Sequence, residues 1–112
     1  MQTKESADRE VSTYLRALER EMNEFGSALP ENKNRPPHEL TVTEVLEEEL
    51  LWVYFYNSKA FVETGSFSDA LGGNAPIIVD RSSGKLYSTG TAHDVSYYIA
   101  EFHAGTRRPI EF

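Results

Sequence analysis

The sequence predicts an α+β domain: an N-terminal helix, a four-stranded antiparallel sheet and a C-terminal helix. Three observations carry that expectation. Apolar residues recur with a helical period near both ends of the chain, and the segments between them alternate or run apolar as strands do. The strand segments also form one consecutive block without a crossover-length helix between them, which favours an antiparallel sheet over a doubly wound parallel one. Local connections throughout favour a meander. At 112 residues the chain has room for one core, so residues 1–112 are expected to form a single domain.

The first helix is read from Val11, Tyr14, Leu15, Leu18, Met22 and Phe25, which fall on one stripe of a helix running from Lys4 to Phe25. Thr3 or Ser6 can cap its start, Gly26 can close its end in a left-handed conformation, and Pro30 blocks continuation. Residues 27–38 carry Pro30, Pro36 and Pro37 and read as a loop. Leu40, Val42 and Leu46 alternate with polar residues as an exposed strand does. After Glu47, Glu48 and Glu49, the run Leu50 to Tyr56 is apolar on both faces, as a buried strand is. Ala60 to Asn74 reads as a short turn of helix and a packed connection. Pro76 to Asp80, a turn with Gly84, and Lys85 to Ser88 form a hairpin pattern. Val95, Tyr98, Ile99 and Phe102 mark the last helix, with Thr91 or Asp94 at its start and Gly105 at its end.

Composition narrows the chemistry. Cysteine is absent, which excludes disulfides, thiolate nucleophiles and cysteine-held metals. Eighteen acidic against eleven basic residues give a net charge of −7, the wrong sign for sequence-independent nucleic-acid binding. No apolar run is long enough for a membrane span and the first residues lack a signal-peptide core, so a cytoplasmic location is expected. His38, His93 and His103 are not at metal-ligand spacing, and His38-Glu39 is not followed by a second histidine. The serines of Gly65-Ser66-Phe67-Ser68 are out of frame for a nucleophile elbow. Gly72-Gly73-Asn74 precedes a strand, so it reads as a turn before that strand, not as a phosphate loop. No enzymatic activity, metal or cofactor is expected.

Two features remain. Glu44, Glu47, Glu48 and Glu49 place four carboxylates within six positions; a solvated hairpin tip or a charged binding patch fits better than a metal site, because the loop chemistry of a calcium site is missing. Trp52, Tyr54 and Tyr56 share one face of the second strand, as core or as an aromatic contact surface.

The second half of the chain carries a recognisable run of segments: Trp52-Val53-Tyr54-Phe55-Tyr56-Asn57-Ser58, Phe61-Val62-Glu63-Thr64-Gly65, Gly73-Asn74-Ala75-Pro76-Ile77-Ile78-Val79-Asp80, Gly84-Lys85-Leu86 and Gly90-Thr91-Ala92 with Tyr98-Ile99. In this order they resemble the YrhB-like family, also called immunity protein 35, over residues of about 50–102. Asp94 stands where that family's pattern leads us to expect proline. The resemblance implies a small α+β immunity protein that binds and neutralises a cognate bacterial polymorphic toxin by occlusion; some relatives are described instead as heat-stable, chaperone-like proteins that bind many clients. It brings no catalytic residues with it.

The motif residues Trp52, Gly65, Gly73, Asn74, Pro76, Asp80, Gly84, Gly90 and Thr91 read as fold-encoding, with Trp52 expected in the core and its indole N–H in need of a partner. Partner contacts are therefore expected outside the motif, on Glu39, Glu44, Glu47, Glu48 and Glu49. The expected partner is a toxin with a basic surface, not nucleic acid and not a membrane.

Overall fold

The computed structural model describes residues 2–27, 39–65 and 75–111. Among them the elements are α1 (Lys4–Ser27), β1 (Leu40–Glu47), β2 (Leu51–Ser58), α2 (Lys59–Thr64), β3 (Ile77–Asp80), β4 (Leu86–Ser88) and α3 (Val95–Ala104). The proline loop, His38, Gly73 and Asn74 lie outside the described residues.

The sheet is an antiparallel meander in the order β1-β2-β3-β4. It is sandwiched between the two long helices. Ala7, Val11 and Leu15 of α1 bury Trp52, Tyr54, Ile77, Val79 and Leu86 on one face. On the other face Tyr98 of α3 closes over Leu51, Val53 and Ile78, with Phe55, Tyr87 and Phe102 packed around them. Strand β2 thus has a core on both sides, which is why its sequence runs apolar instead of alternating. Trp52 and Tyr54 are almost fully buried, so the aromatic stripe is core and not a contact surface.

Thr3 caps α1, its side-chain oxygen accepting from the Ser6 N–H at 3.1 Å. Gly26 does not close the helix as expected: α1 runs through it to Ser27. Glycine near a helix end costs at most about 1 kcal/mol against alanine, too little to stop a helix already packed along its stripe. Gly65 and Gly105, by contrast, take the left-handed conformation at the ends of α2 and α3, with φ of 69° and 74°.

The two sheet edges differ. On the outer edge of β4 the carbonyl of Leu86 accepts the Ile110 N–H at 2.6 Å, so the returning C-terminal segment covers it. On β1 the register shifts between Val42 and Glu44, leaving Thr43 as a bulge. At the start of β1, Glu19 accepts the Leu40 N–H and Arg16 donates to the Leu40 carbonyl, both at 2.6 Å. Two helix side chains therefore stand in for a neighbouring strand at that residue.

Candidate interaction surface

The acidic cluster folds into the β1–β2 hairpin. Glu47 pairs with Trp52 across the ladder, and the Glu48 N–H donates to the Leu51 carbonyl at 2.9 Å, which leaves Glu49 and Leu50 as the tip. Glu44 pairs with Phe55 and Leu46 with Val53, so both side chains lie on the face that carries α3. Leu46 and Leu50 are 41% and 51% exposed, and Glu44, Glu47 and Glu49 are exposed with them. Glu44 and Leu46 thus share the α3 face, Glu47, paired with Trp52, lies on the α1 face, and Leu50 lines a pocket with Asp80, Arg81, Ser82, Phe102 and His103.

Glu39 is not part of this surface. It sits before the opposite end of β1, roughly 25 Å along a strand of this length, where its carboxylate lies 3.5 Å from the Lys59 ammonium. Nearness in sequence placed it with the others; an extended strand separates what it links.

Glu47 differs from its neighbours because it is already engaged. Its carboxylate accepts from the Trp52 indole at 3.4 Å and from Arg81 at 3.2 Å. Arg81 holds the hairpin in several ways at once: its guanidinium lies over the Trp52 ring, donates to the Glu48 carbonyl at 2.7 Å, and its backbone N–H donates to the Leu50 carbonyl at 3.0 Å. Sequence reasoning missed Arg81, because its position beside the hairpin follows from the pairing of Leu51 with Asp80, more than twenty residues apart. Asp80 shapes the next turn, accepting from the Ser82 N–H at 2.8 Å and its hydroxyl at 2.9 Å. Burial pushes its carboxyl up, but the donors of Ser82 and Ser83 outweigh that and hold it below the ordinary value.

The remaining motif residues make local contacts. Gly84, at φ 78°, lies against the Gln2 side chain, and a Cβ on Gly90 would stand 2.5 Å from the Tyr98 hydroxyl. The Pro76 carbonyl accepts from the Thr89 hydroxyl, while Thr91 is exposed. Asp94 precedes α3 without a side-chain capping bond.

A second polar cluster lies between α1 and β2. The Tyr54 hydroxyl donates to Asp8, which also meets Lys4. Burial pushes the Tyr54 phenol well up, reinforced by the hydrogen bond to Asp8. Burial also pushes the Asp8 carboxyl up, but the bonds from Lys4 and Tyr54 win and lower it overall. His93 is exposed and stacks on Tyr97 at 3.9 Å; His103 is exposed near the far end of α3. Among the described residues no group of three or more His, Asp or Glu could hold a metal ion, and no helix is long and apolar enough to cross a membrane.

Comparison with known proteins gives a relative in Escherichia coli (strain K12), the uncharacterized protein YrhB, 37% identical over 51 residues, which are 46% of this chain and 54% of that protein. The chain thus spans about half the length of the curated relative it matches. No solved structure matches. A family model described as immunity protein 35 matches residues 5–102; the match takes in α1, which carried no signature visible by eye, because an amphipathic stripe is common to many families. By that match over most of its length, the chain belongs to the immunity protein 35 family.

Proposed function

We propose that this protein is the immunity partner of a bacterial toxin, that it acts by binding and occlusion and not by catalysis, and that the β1–β2 hairpin is its docking surface. Family membership supports the class of partner. The observation that carries the docking surface is the exposure of Leu46 and Leu50 on a hairpin that also carries Glu44, Glu48 and Glu49. Protein interfaces combine apolar contacts with polar ones. Carboxylates on the same hairpin favour a partner with a basic surface and speed the encounter by electrostatic steering.

Glu47 contributes charge to this surface, but its bonds to Trp52 and Arg81 make it part of the hairpin's support. Charge reversal is therefore best made at Glu44 and Glu49. The test is a tagged pull-down from the native cells at low and high salt with mass spectrometry of the bound proteins. One stoichiometric partner with a toxin domain, bound more slowly by the Glu44→Lys/Glu49→Lys variant and released at high salt, is the expected result. A broad client set that grows on heat stress would overturn the reading in favour of a chaperone-like role; a toxin bound equally fast by the variant would remove the hairpin from it.

A further inference from the structure

The hydrogen-bond parity of β1 shows which backbone groups face outward. The N–H and C=O of Leu40 point away from β2, since α1 takes both, and the Glu48 N–H points toward β2, since Leu51 takes it. Alternation from these two ends, with the bulge at Thr43 absorbing one residue, turns the backbone groups of Val42, Val45 and Glu47 outward. Among the described residues none of the three has a backbone partner on that side. Beside them runs a groove of about 400 Å³ between α1 and β1, floored by Leu15, Val42 and Val45 and rimmed by Lys4, Asp8 and Arg16. The other edge of the sheet is covered by Ile110. Among the described residues one edge is thus closed by the chain itself, while the other is closed only at Leu40.

We propose that the outer edge of β1 from Val42 to Glu47 accepts an extended, lysine- or arginine-rich strand of the partner protein, which adds to the sheet as a fifth strand with its inward side chains in the α1–β1 groove. The proposal rests on the immunity reading for the identity of the partner. Strand addition draws affinity from main-chain hydrogen bonds and specificity from pockets for alternate side chains, and the edge offers both. Charge selects the occupant. Residues 42–49 contain four glutamates and no lysine or arginine. Pairing with a second copy of β1 would bring two such segments together, and like charges across a ladder are destabilising. The basic side chains of an alternating strand meet Glu44 on the α3 face, while its apolar ones enter the groove, where Lys4 and Arg16 stand against Asp8. Arg16 and Glu19 act as a stop, because they already make the two hydrogen bonds a fifth strand would make at Leu40.

The test uses the full chain and a short synthetic peptide of alternating lysine and valine, with its glutamate counterpart as control. Amide hydrogen exchange at Val42 and Val45 is expected to slow about tenfold or more with the lysine peptide and to be unchanged with the glutamate peptide. Val45→Pro removes an N–H that faces away from β2, a position where an edge strand tolerates proline; the variant should keep its circular dichroism and lose the protection. Lysine peptide bound with Val45 exchange unchanged, or no binding at all, overturns the proposal. A toxin recovered equally by wild type and Val45→Pro would also overturn it while leaving the immunity reading standing. Protection by the peptide without any toxin partner in the cell would keep the acceptor edge and overturn the immunity reading.

Discussion

The guanidinium of Arg81 lies 4.7 Å from the centre of the Trp52 ring, at the point where the β1–β2 hairpin meets the turn after β3. The stacking ties together the one tryptophan of the core, the carboxylate of Glu47 and the carbonyl of Glu48. The hairpin that carries the proposed docking surface is held from outside as well as by its own ladder.

Arg81→Ala should therefore destabilise the fold by roughly 1–3 kcal/mol, the range for a charge-assisted hydrogen bond combined with a cation–π contact. Urea unfolding measures it. Arg81→Lys should restore only a part, since an ammonium can serve the two acceptors that one Arg81 nitrogen serves but cannot stack on the indole as the planar guanidinium does.

Gly90→Ala should cost about 1–3 kcal/mol, as overpacking does, because its Cβ would meet the buried Tyr98 hydroxyl. Tyr98→Phe removes the clashing oxygen. A double-mutant cycle read by thermal unfolding should show the second substitution relieving part of the first; purely additive costs would place the strain elsewhere.

The Asp8–Tyr54 pair predicts two limbs of a pH–stability curve. Asp8 has a folded pKa below its unfolded value, so its contribution is present above an unfolded value of about 4 and is lost as pH falls through the folded one. The Tyr54 phenol is raised, so its contribution is present below about 10 and is lost as pH climbs from there toward the folded value. Tyr54→Phe should reduce the alkaline limb, to which Tyr14 and Tyr56, also raised by burial, contribute, and Asp8→Asn should weaken both limbs, followed by the denaturation midpoint across the pH range. An alkaline limb unchanged in Tyr54→Phe would count against the pairing.

Glu19→Ala leaves the outward N–H of Leu40 without its acceptor and Arg16 without its partner at 2.7 Å. A loss of about 1–2 kcal/mol is expected for a carboxylate bonded to a backbone amide. Exchange at Leu40 should rise by more than exchange at Thr41, whose amide faces β2. Equal rises at both would mean that the whole strand frays.

The helices, the hairpins and the burial of β2 were legible in the sequence because each rests on short-range pattern: the stripe of Val11 and Leu15, the unbroken run from Leu51 to Tyr56, the glycine-bearing turn before Leu86. What was not legible depends on register. Arg81 is unremarkable in sequence and becomes structural only once Leu51 pairs with Asp80. Glu39 belongs with Glu44 on paper, yet a strand carries it to the far end of the sheet. Gly26 resembles a helix stop, and packing along α1 overrides so small a local preference. Of the acidic residues, local pattern could not tell Glu47, bound to Trp52 and Arg81, from Glu49 at the solvent-exposed tip.

The bulge at Thr43 decides how β1 tolerates changes of length. Val42 and Glu44 already pair with consecutive residues of β2, Tyr56 and Phe55, so excising Thr43 would leave every other side chain of the strand on its present face. Excising a residue elsewhere in β1 would turn part of the strand over and drive carboxylates under α1. Position 43 is thus the place where related chains can differ by one residue without refolding. A chain shortened there would also lose the local twist that a bulge imparts, leaving its border straighter and more prone to self-association.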